Sequence, residues 1–475
     1  MSSKILNNSA IYSVTVILQK GMMFLLLPVY TAYLSPANFG VLNVVMSLSS
    51  ILSIFILMSL NAAATRFYYL NTSEDYAKEL WGTLVTIILL NSLFIGGVVL
   101  LFHRYLVDPF IGKIPFFPFV FLGILNVILS PLFLFFQSYL QAIQDGVKYS
   151  VYTISFFLIQ VSLTLYSLIV LKLGVEGLLL ANVITSAIFF VYVVFTFLPK
   201  IKLGFRKDIL SESFKYSIPL LPHSLAAWSS GMVDKLLLNG LANQRETGLY
   251  SAGLQFGGIV ALVEGAVNKA FVPWFFQKES EGEEGRRKIE NAGELFILSF
   301  SFLALILSLF AKEILFVMVD SKYRSISNII PIIAFTNVFN GIYYLHVNVL
   351  FIKNTNRVFL ITVFGAVVNI FTNLILIPKI GLYGAVVAHF LTMLSISLLA
   401  VIISKRLNKD IKYKTKKMYF FVVLFFLISL SSNIFEGFPV LLSILLKAVI
   451  CLITLFIIYS FYKKIIFQVF TKLKK

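Results

Sequence analysis

The chain has 475 residues, of which 59% are hydrophobic and 13% are charged, and its mean hydropathy is +0.93. A soluble protein of this length could not cover so much apolar surface, whereas a lipid bilayer removes the need to cover it. The formal net charge is +18 at pH 7, which basic residues at a membrane surface explain without any binding to nucleic acid. Composition therefore excludes a soluble protein and predicts a membrane protein.

About fourteen apolar segments are long enough to cross a bilayer, since a hydrocarbon core of roughly 30 Å needs about 20 residues in a helix. Such long uninterrupted segments exclude a lipid-exposed β-barrel, whose strands alternate over short runs. The first segment carries Lys20 near its middle and lacks a small-x-small cleavage site, so we interpret it as a membrane helix and not a secretory signal. The predicted fold class is an all-α polytopic membrane protein.

The distribution of Lys and Arg predicts how the chain crosses the membrane. With the N-terminus placed inside, the inside segments hold about 27 of the 39 basic residues and the outside loops about 8. This excess predicts that both termini are cytoplasmic. The charged inside segment Phe275–Glu290 is expected to be an exposed helical or flexible linker that bridges the two halves of the chain.

Two short phrases recur at nearly the same offset. Lys172–Ala181 reappears 207 residues later as Lys379–Ala388, and Leu34–Leu42 aligns with Leu241–Tyr250 with one extra residue. We therefore predict two parallel six-helix repeats that enclose a central cavity, followed by two further helices. The predicted divisions are an N-terminal lobe over 1–210, a C-terminal lobe over 211–404, and helices 13 and 14 with a basic cytoplasmic tail over 405–475.

Enzyme chemistry has little support in the sequence. The chain has one cysteine, four scattered histidines and no Gly-x-x-x-x-Gly-Lys-Ser/Thr motif, so neither a metal site nor a nucleotide site is predicted. The predicted outside loops are too short for a catalytic domain. We therefore expect a secondary transporter without a cofactor, driven by a proton or sodium gradient, and no catalytic residues.

Three motifs resemble one family. The stretch from Asp234 to Leu254, the run Asn61–Tyr69, and the spacing of Pro28, Leu34 and Gly40 are similar to those of Wzx-type polysaccharide flippases of the multidrug/oligosaccharidyl-lipid/polysaccharide exporter superfamily. The resemblance covers essentially the whole chain. It implies two MATE-like bundles of helices in a bacterial cytoplasmic membrane.

The resemblance also implies the reaction and the partners. A Wzx-type flippase moves an oligosaccharide repeat unit of O-antigen or capsule, linked to undecaprenyl pyrophosphate, from the inner to the outer leaflet by alternating access. The expected partners are this lipid-linked oligosaccharide, membrane lipids and the polysaccharide polymerase machinery. We expect a monomer, because one chain contains both lobes.

Charged residues inside membrane helices are costly and are therefore candidates for the site. We expect Lys20 and Arg66 to face the cavity and hold the pyrophosphate, as a point charge and a forked donor. The alternatives are snorkelling or a buried ion pair for Lys20, and anchoring to lipid headgroups for Arg66. Further expected contacts with the pyrophosphate or the sugars are Lys235, Lys269, Tyr68, Asn340 and Asn369. The alternatives are an interfacial aromatic belt for Tyr68 and hydrogen bonds between helices for the two asparagines.

Two acidic residues are candidates for gating and coupling. Asp234 lies beside Lys235 toward the outer end of helix seven and is expected to gate the outer side, with a structural salt bridge between helices as the alternative. Glu264 lies deep in helix eight and is the candidate for proton or sodium coupling. Its alternative is a structural pair with Lys235 or Lys269.

Two other functions stay open. A MATE-type drug or cation antiporter should carry more acidic than basic residues in its cavity, whereas basic residues outnumber acidic ones in the predicted membrane helices of this chain. A flippase for the peptidoglycan precursor lipid II has the same architecture but usually shows a denser group of charges in helix one, where this chain has only Lys20.

Overall fold

A computed structural model describes residues 24–71, 73–353 and 356–473, together with 11–12, 14–15, 18–19 and 21–22. In these ranges the regular structure is entirely helical, without a strand. Among the described residues, ten helices are long and apolar enough to cross a membrane. The prediction of an all-α polytopic membrane protein is confirmed. Lys20 lies outside the described residues.

The difference between ten such helices and the fourteen predicted segments has physical causes. Predicted segments eleven and twelve form one helix of 52 residues that kinks at Ile380 and Gly381. Segment seven is broken into short helices near Pro219 and Pro222, as proline requires. Segment thirteen is a helix of only 16 residues. The first segment is described only in part.

The chain divides into two compact units. The first comprises the described residues within Met1–Ser251 and Asn373–Leu382, and the second those within Ala252–Thr372 and Tyr383–Lys475. The boundaries of these units differ from the predicted lobe boundaries at residues 210 and 404. The division into two six-helix lobes stays a prediction.

The helices up to residue 241 belong to the first unit. They are α1 (Leu27–Tyr33), α2 (Pro36–Leu57), α3 (Leu60–Leu70), α4 (Glu74–Leu101), α5 (Phe121–Ala142), α6 (Gly146–Leu165), α7 (Gly174–Thr196), α8 (Lys207–Ser217), α9 (Leu221–Trp228) and α10 (Asp234–Leu241). Short 3₁₀ and π turns join several of them.

The remaining helices lie mostly in the second unit. They are α11 (Gln244–Gly257), α12 (Ile259–Glu279), α13 (Glu283–Leu309), α14 (Ala311–Met318), α15 (Ile330–Lys353), α16 (Asn356–Leu407), α17 (Thr415–Leu430) and α18 (Val440–Leu473). The start of α11 and the middle of α16 belong to the first unit.

Helix α2 has clear start and stop signals. The Ser35 hydroxyl accepts a hydrogen bond from the backbone N–H of Asn38 at 3.2 Å, and Pro36 occupies the first turn, where its missing N–H costs nothing. The helix ends at Met58 and Ser59, whose φ angles of 45° and 55° are left-handed. The chain then resumes as α3, so the membrane segment contains a break at a defined point.

The glycines of one repeated phrase pack against each other. At Gly40 the backbone carbonyl of Gln244 occupies the place of a Cβ atom, and at Gly248 the carbonyl of Pro36 does so. The N-terminal turns of α2 and α11 therefore meet backbone to backbone, and only glycine fits on either side. The contact is reciprocal, which is what a duplicated unit related by a pseudo-two-fold axis produces.

The glycines of the other repeated phrase share a conformation. Gly174 has a φ of 58° and Gly381 a φ of 52°, and each precedes a run of helix. The carboxylate of Glu246 accepts a hydrogen bond from the N–H of Leu382 at 2.5 Å, which satisfies a donor freed by the kink. The two copies therefore agree in backbone conformation as well as in sequence.

The segment 275–290 is not the predicted linker between the halves. Helix α12 ends at Glu279 and α13 begins at Glu283, with Gly282 at a φ of 75° in the tight turn between them. Both helices belong to the second unit. The mixed charges form local ion pairs along the first turns of α13, such as Arg287 with Glu283 at 2.8 Å, so this pattern marks an ordered helical turn.

We expect Gly40→Ala and Gly248→Ala to destabilise the fold, because a methyl group at either position collides with a carbonyl that cannot move aside. Overpacking of this kind costs about 1–3 kcal/mol. The apparent melting temperature of the purified full chain should fall for both. Gly97→Ala in α4 is the matched control, since nothing lies within 4 Å of its Cβ position. A Gly40→Ala variant that melts like the Gly97→Ala variant would contradict the close crossing of α2 and α11.

Candidate functional site

Asp234 is the centre of a hydrogen-bond network in the first unit. It begins α10 and is 0% exposed. One carboxylate oxygen accepts from the Tyr250 hydroxyl at 2.6 Å and the other from the Asn373 side-chain amide at 2.7 Å. A carboxylate inside a membrane protein is tolerated only with such donors. The network therefore ties α10, α11 and the kinked part of α16 together.

Lys235 faces a different neighbour, as adjacent residues of a helix must. Its amine donates to the Asn43 side-chain carbonyl on α2 at 3.1 Å and approaches the sulfur of Met232 at 3.9 Å. Within the described ranges no carboxylate lies within 4.0 Å of this amine. The side chain is half-buried. An ammonium group has three donors, so Lys235 keeps hydrogen-bonding capacity for an anion.

Further polar contacts follow Asn43 along α2 and at the break after it. The Trp228 indole donates to the Ser50 hydroxyl at 2.8 Å, and Ser59 and Ser224 lie 3.3 Å apart. Sequence reasoning missed these residues. The available signal was the spacing of Asn43, Ser47 and Ser50, which places three polar side chains on one face of a membrane helix.

Arg66 and Tyr68 lie on α3, beyond the break in the second membrane segment. The guanidinium of Arg66 is exposed and lies 4.5 Å from the centre of the Tyr216 ring. At this distance the guanidinium and the ring form a cation–π contact. Tyr68 is half-buried against Tyr69 and Trp81, with ring centres 5.3 and 6.2 Å away, so much of its ring serves the packing of the first unit.

Glu264 lies in the second unit and has a polar partner on α15. It is 1% exposed, and one carboxyl oxygen accepts from the Asn340 amide at 3.3 Å. Lys269 on the same helix is exposed, so the alternative of an ion pair between these two is not observed. Asn369 is fully buried in α16.

Other membrane charges have structural partners. Lys447 is buried and its amine lies 2.5 Å from a carboxylate oxygen of Glu313. Glu294 is 1% exposed. One of its carboxylate oxygens lies 3.1 Å from the amine of Lys414, and the other accepts a hydrogen bond from the Tyr462 hydroxyl at 3.1 Å. In the described part of the chain, no three His, Cys, Asp or Glu side chains are arranged to hold a metal ion.

In the structure, four of the predicted site residues form hydrogen bonds with polar side chains of other helices, and the other described ones do not lie together. Asp234 contacts Asn373, Lys235 contacts Asn43, and Glu264 contacts Asn340. Arg66, Tyr68, Lys269 and Asn369 have separate surroundings. The roles assigned to all of these residues stay predictions.

Comparison with known proteins identifies the family. Residues 5–279, more than half of the chain, match the family described as polysaccharide biosynthesis protein. The chain is 21% identical over 412 residues to the Lsg locus putative protein 1 of Haemophilus influenzae, covering 82% of this chain and 98% of the relative. It is 24% identical over 410 residues to the uncharacterized membrane protein MJ1375 of Methanocaldococcus jannaschii, covering 82% and 96%.

Two solved structures share the fold. The lipid II flippase MurJ in an inward closed conformation has a TM-score of 0.73 at 15% identity, with 96% of this chain and 99% of that chain covered. An inward-facing multidrug resistance MATE family transporter of the MOP superfamily has a TM-score of 0.59 at 13% identity, with 80% and 93% covered. At these identities the likeness shows the fold alone. The family match bears out the resemblance noted in the sequence: this chain belongs to the family described as polysaccharide biosynthesis protein.

Proposed function

We propose that this chain flips undecaprenyl-pyrophosphate-linked oligosaccharide repeat units from the cytoplasmic to the outer leaflet by alternating access. The observation that carries the proposal is the basic side chain of Lys235, half-buried inside the first unit with an amide as its hydrogen-bond partner and no carboxylate within 4.0 Å in the described ranges. The family match supports a role in polysaccharide biosynthesis.

The physical problem of flipping explains why such a cation is useful. The lipid tail can stay in the bilayer, while the pyrophosphate and the sugars need a polar path. An ammonium group that lacks a carboxylate partner in a membrane helix is unfavourable when empty. A bound pyrophosphate provides the missing negative charge and forms charge-assisted hydrogen bonds.

Each remaining candidate has a place in this proposal. Arg66, exposed beside the Tyr216 ring, offers the planar forked donors that suit a phosphate. Asp234 holds three helices in the arrangement that presents Lys235. The further proposed contacts or coupling groups are Lys20, Lys269, Tyr68, Asn340, Asn369 and Glu264.

The proposal includes the setting of the protein. We place it in a bacterial cytoplasmic membrane with both termini in the cytoplasm, which the excess of Lys and Arg in the predicted inside segments supports. It acts as a monomer that catalyses no chemical reaction, with two lobes that rock about the substrate and with the polysaccharide polymerase as a functional partner.

Lys235→Gln should reduce transport at least about tenfold, because one charge-assisted hydrogen bond to the substrate contributes about 1.5–3 kcal/mol. Lys235→Arg should keep part of the activity. The measurement is surface polymer in a strain that lacks its own flippase and makes the cognate repeat unit, with the amount of membrane protein checked by immunoblot.

The matched control for this experiment is Lys148→Gln, which removes an exposed lysine already paired with Asp145 at 2.7 Å. Polymer at the wild-type level in the Lys235→Gln strain would contradict the proposed role of the cation. If the wild-type chain restores no polymer and instead confers resistance to cationic drugs, the antiporter is the better assignment.

Asp234→Asn should impair both folding and transport, because the new amide faces another amide donor at Asn373 or loses its bond to Tyr250. Each buried group left without a partner costs about 1–3 kcal/mol. The double variant Asp234→Asn with Asn373→Asp restores one donor and one acceptor across the same contact. It should recover melting temperature and surface polymer relative to Asp234→Asn. Equal loss in the single and double variants would mean that this contact does not hold the site together.

A further inference from the structure

One carboxyl group in the second unit is left half satisfied. Glu264 in α12 is 1% exposed, and its Oε2 atom accepts from the Asn340 amide at 3.3 Å. Its Oε1 atom is buried without a hydrogen-bond partner. No Lys, Arg or His of the described ranges lies within 4.0 Å of either oxygen.

A small cavity lies beside this carboxyl group. It measures about 10 Å³, close to the smallest volume that holds a water molecule, and its lining includes Asn268 and Tyr344 among phenylalanine rings. Gly341 makes room for the carboxyl group, since a Cβ atom there would lie 2.5 Å from Oε1. The site is therefore shaped to hold a carboxyl group and one small guest.

The neighbouring titratable groups do not neutralise Glu264. Tyr344 lines the cavity but is not hydrogen-bonded to the carboxyl group. Four further titratable groups on the three helices around the cavity face elsewhere or bind other partners. Lys269 on α12 is exposed, and Glu294 on α13 faces Lys414 and Tyr462. On α15, His346 bonds to Ser404 and Tyr343 packs against Tyr344.

Glu294 shows which partners a buried, charged carboxylate has in the second unit. It is as buried as Glu264, at 1% exposed, but an ammonium group lies 3.1 Å away and a phenol donates to its second oxygen at 3.1 Å. Glu264 has one side-chain amide at 3.3 Å instead, with the backbone N–H of Gly341 near the carboxyl group and no ammonium group beside it in the described ranges. A buried carboxylate without a cation or several donors is far less stable than the neutral acid, so it takes up a proton.

We propose that Glu264 and the cavity beside it form a proton-binding site, at which the carboxylate and a proton from water combine to the neutral acid and no other bond changes. The cavity is the position from which water delivers or removes the proton. The use of this proton for coupling rests on the proposed transport function, whereas the binding of the proton does not.

Infrared difference spectroscopy of the purified full chain tests the binding directly, because a protonated carboxyl group has a carbonyl band separate from the carboxylate bands. The spectra are recorded at neutral pH with and without sodium chloride. Glu264→Gln should lose one protonated-carboxyl band. Glu294→Gln, the equally buried control, should keep it. Glu264→Asp retains a carboxyl group and should show the band at a shifted position, which guards against a folding defect in the glutamine variant.

The outcomes separate the possibilities. Identical spectra for the wild-type chain and Glu264→Gln would overturn the proposal, and so would loss of the wild-type band on addition of sodium chloride, which would make sodium the guest. Surface polymer in the complementation strain tests the coupling. If Glu264→Gln loses the band but makes normal polymer, the proton is bound but does not couple transport. If the wild-type chain makes no polymer, the transport function fails while the proton site stands.

Discussion

The cost of holding a charge away from water governs how this protein is built. Three buried charges of the described chain meet that cost in different ways. Asp234 has two neutral donors, Glu294 has an ammonium and a phenol, and Lys447 has the carboxylate of Glu313. Such partners hold helices to each other because neither side can leave without exposing the other to hydrocarbon.

Against this background the incompletely satisfied groups stand out. The half-buried Lys235 has an amide partner, whereas the buried Lys447 has a carboxylate. Glu264 has one amide and a small cavity where Glu294 has a cation. An anion at Lys235 and a proton at Glu264 would complete both sites. The two residues lie in different compact units, so the proposals on them can be tested independently.

Close backbone packing is the second constraint. Membrane helices gain little from burying apolar side chains against each other, and small residues allow their backbones to approach. Gly40 and Gly248 do this reciprocally at the start of α2 and α11. The same pair belongs to the repeated phrases of the sequence, so two segments that are similar in sequence also contact each other.

The helical membrane fold and the unusual charged residues could be predicted from the sequence, but the partners of those residues could not. Hydropathy and positive charge predict the helical membrane fold, and local motifs predict that Asp234, Lys235 and Glu264 are unusual. Their partners Tyr250, Asn373, Asn43 and Asn340 come from other helices, up to 192 residues away in the chain. Side-chain pairing across that distance depends on helix rotation and on breaks such as the one at Met58 and Ser59, which hydropathy does not report. The bridging role expected of segment 275–290 was wrong because charge pattern alone does not distinguish a linker from a helical turn.

The most direct test of the central claim is binding of undecaprenyl pyrophosphate to the purified chain, measured by native mass spectrometry for the wild type, Lys235→Gln and Lys148→Gln. If the ammonium group of Lys235 holds the pyrophosphate, the wild type and Lys148→Gln should bind alike, and Lys235→Gln should bind at least about tenfold more weakly. Equal binding by all three would contradict the account, because the cation would then have no part in recognising the anion.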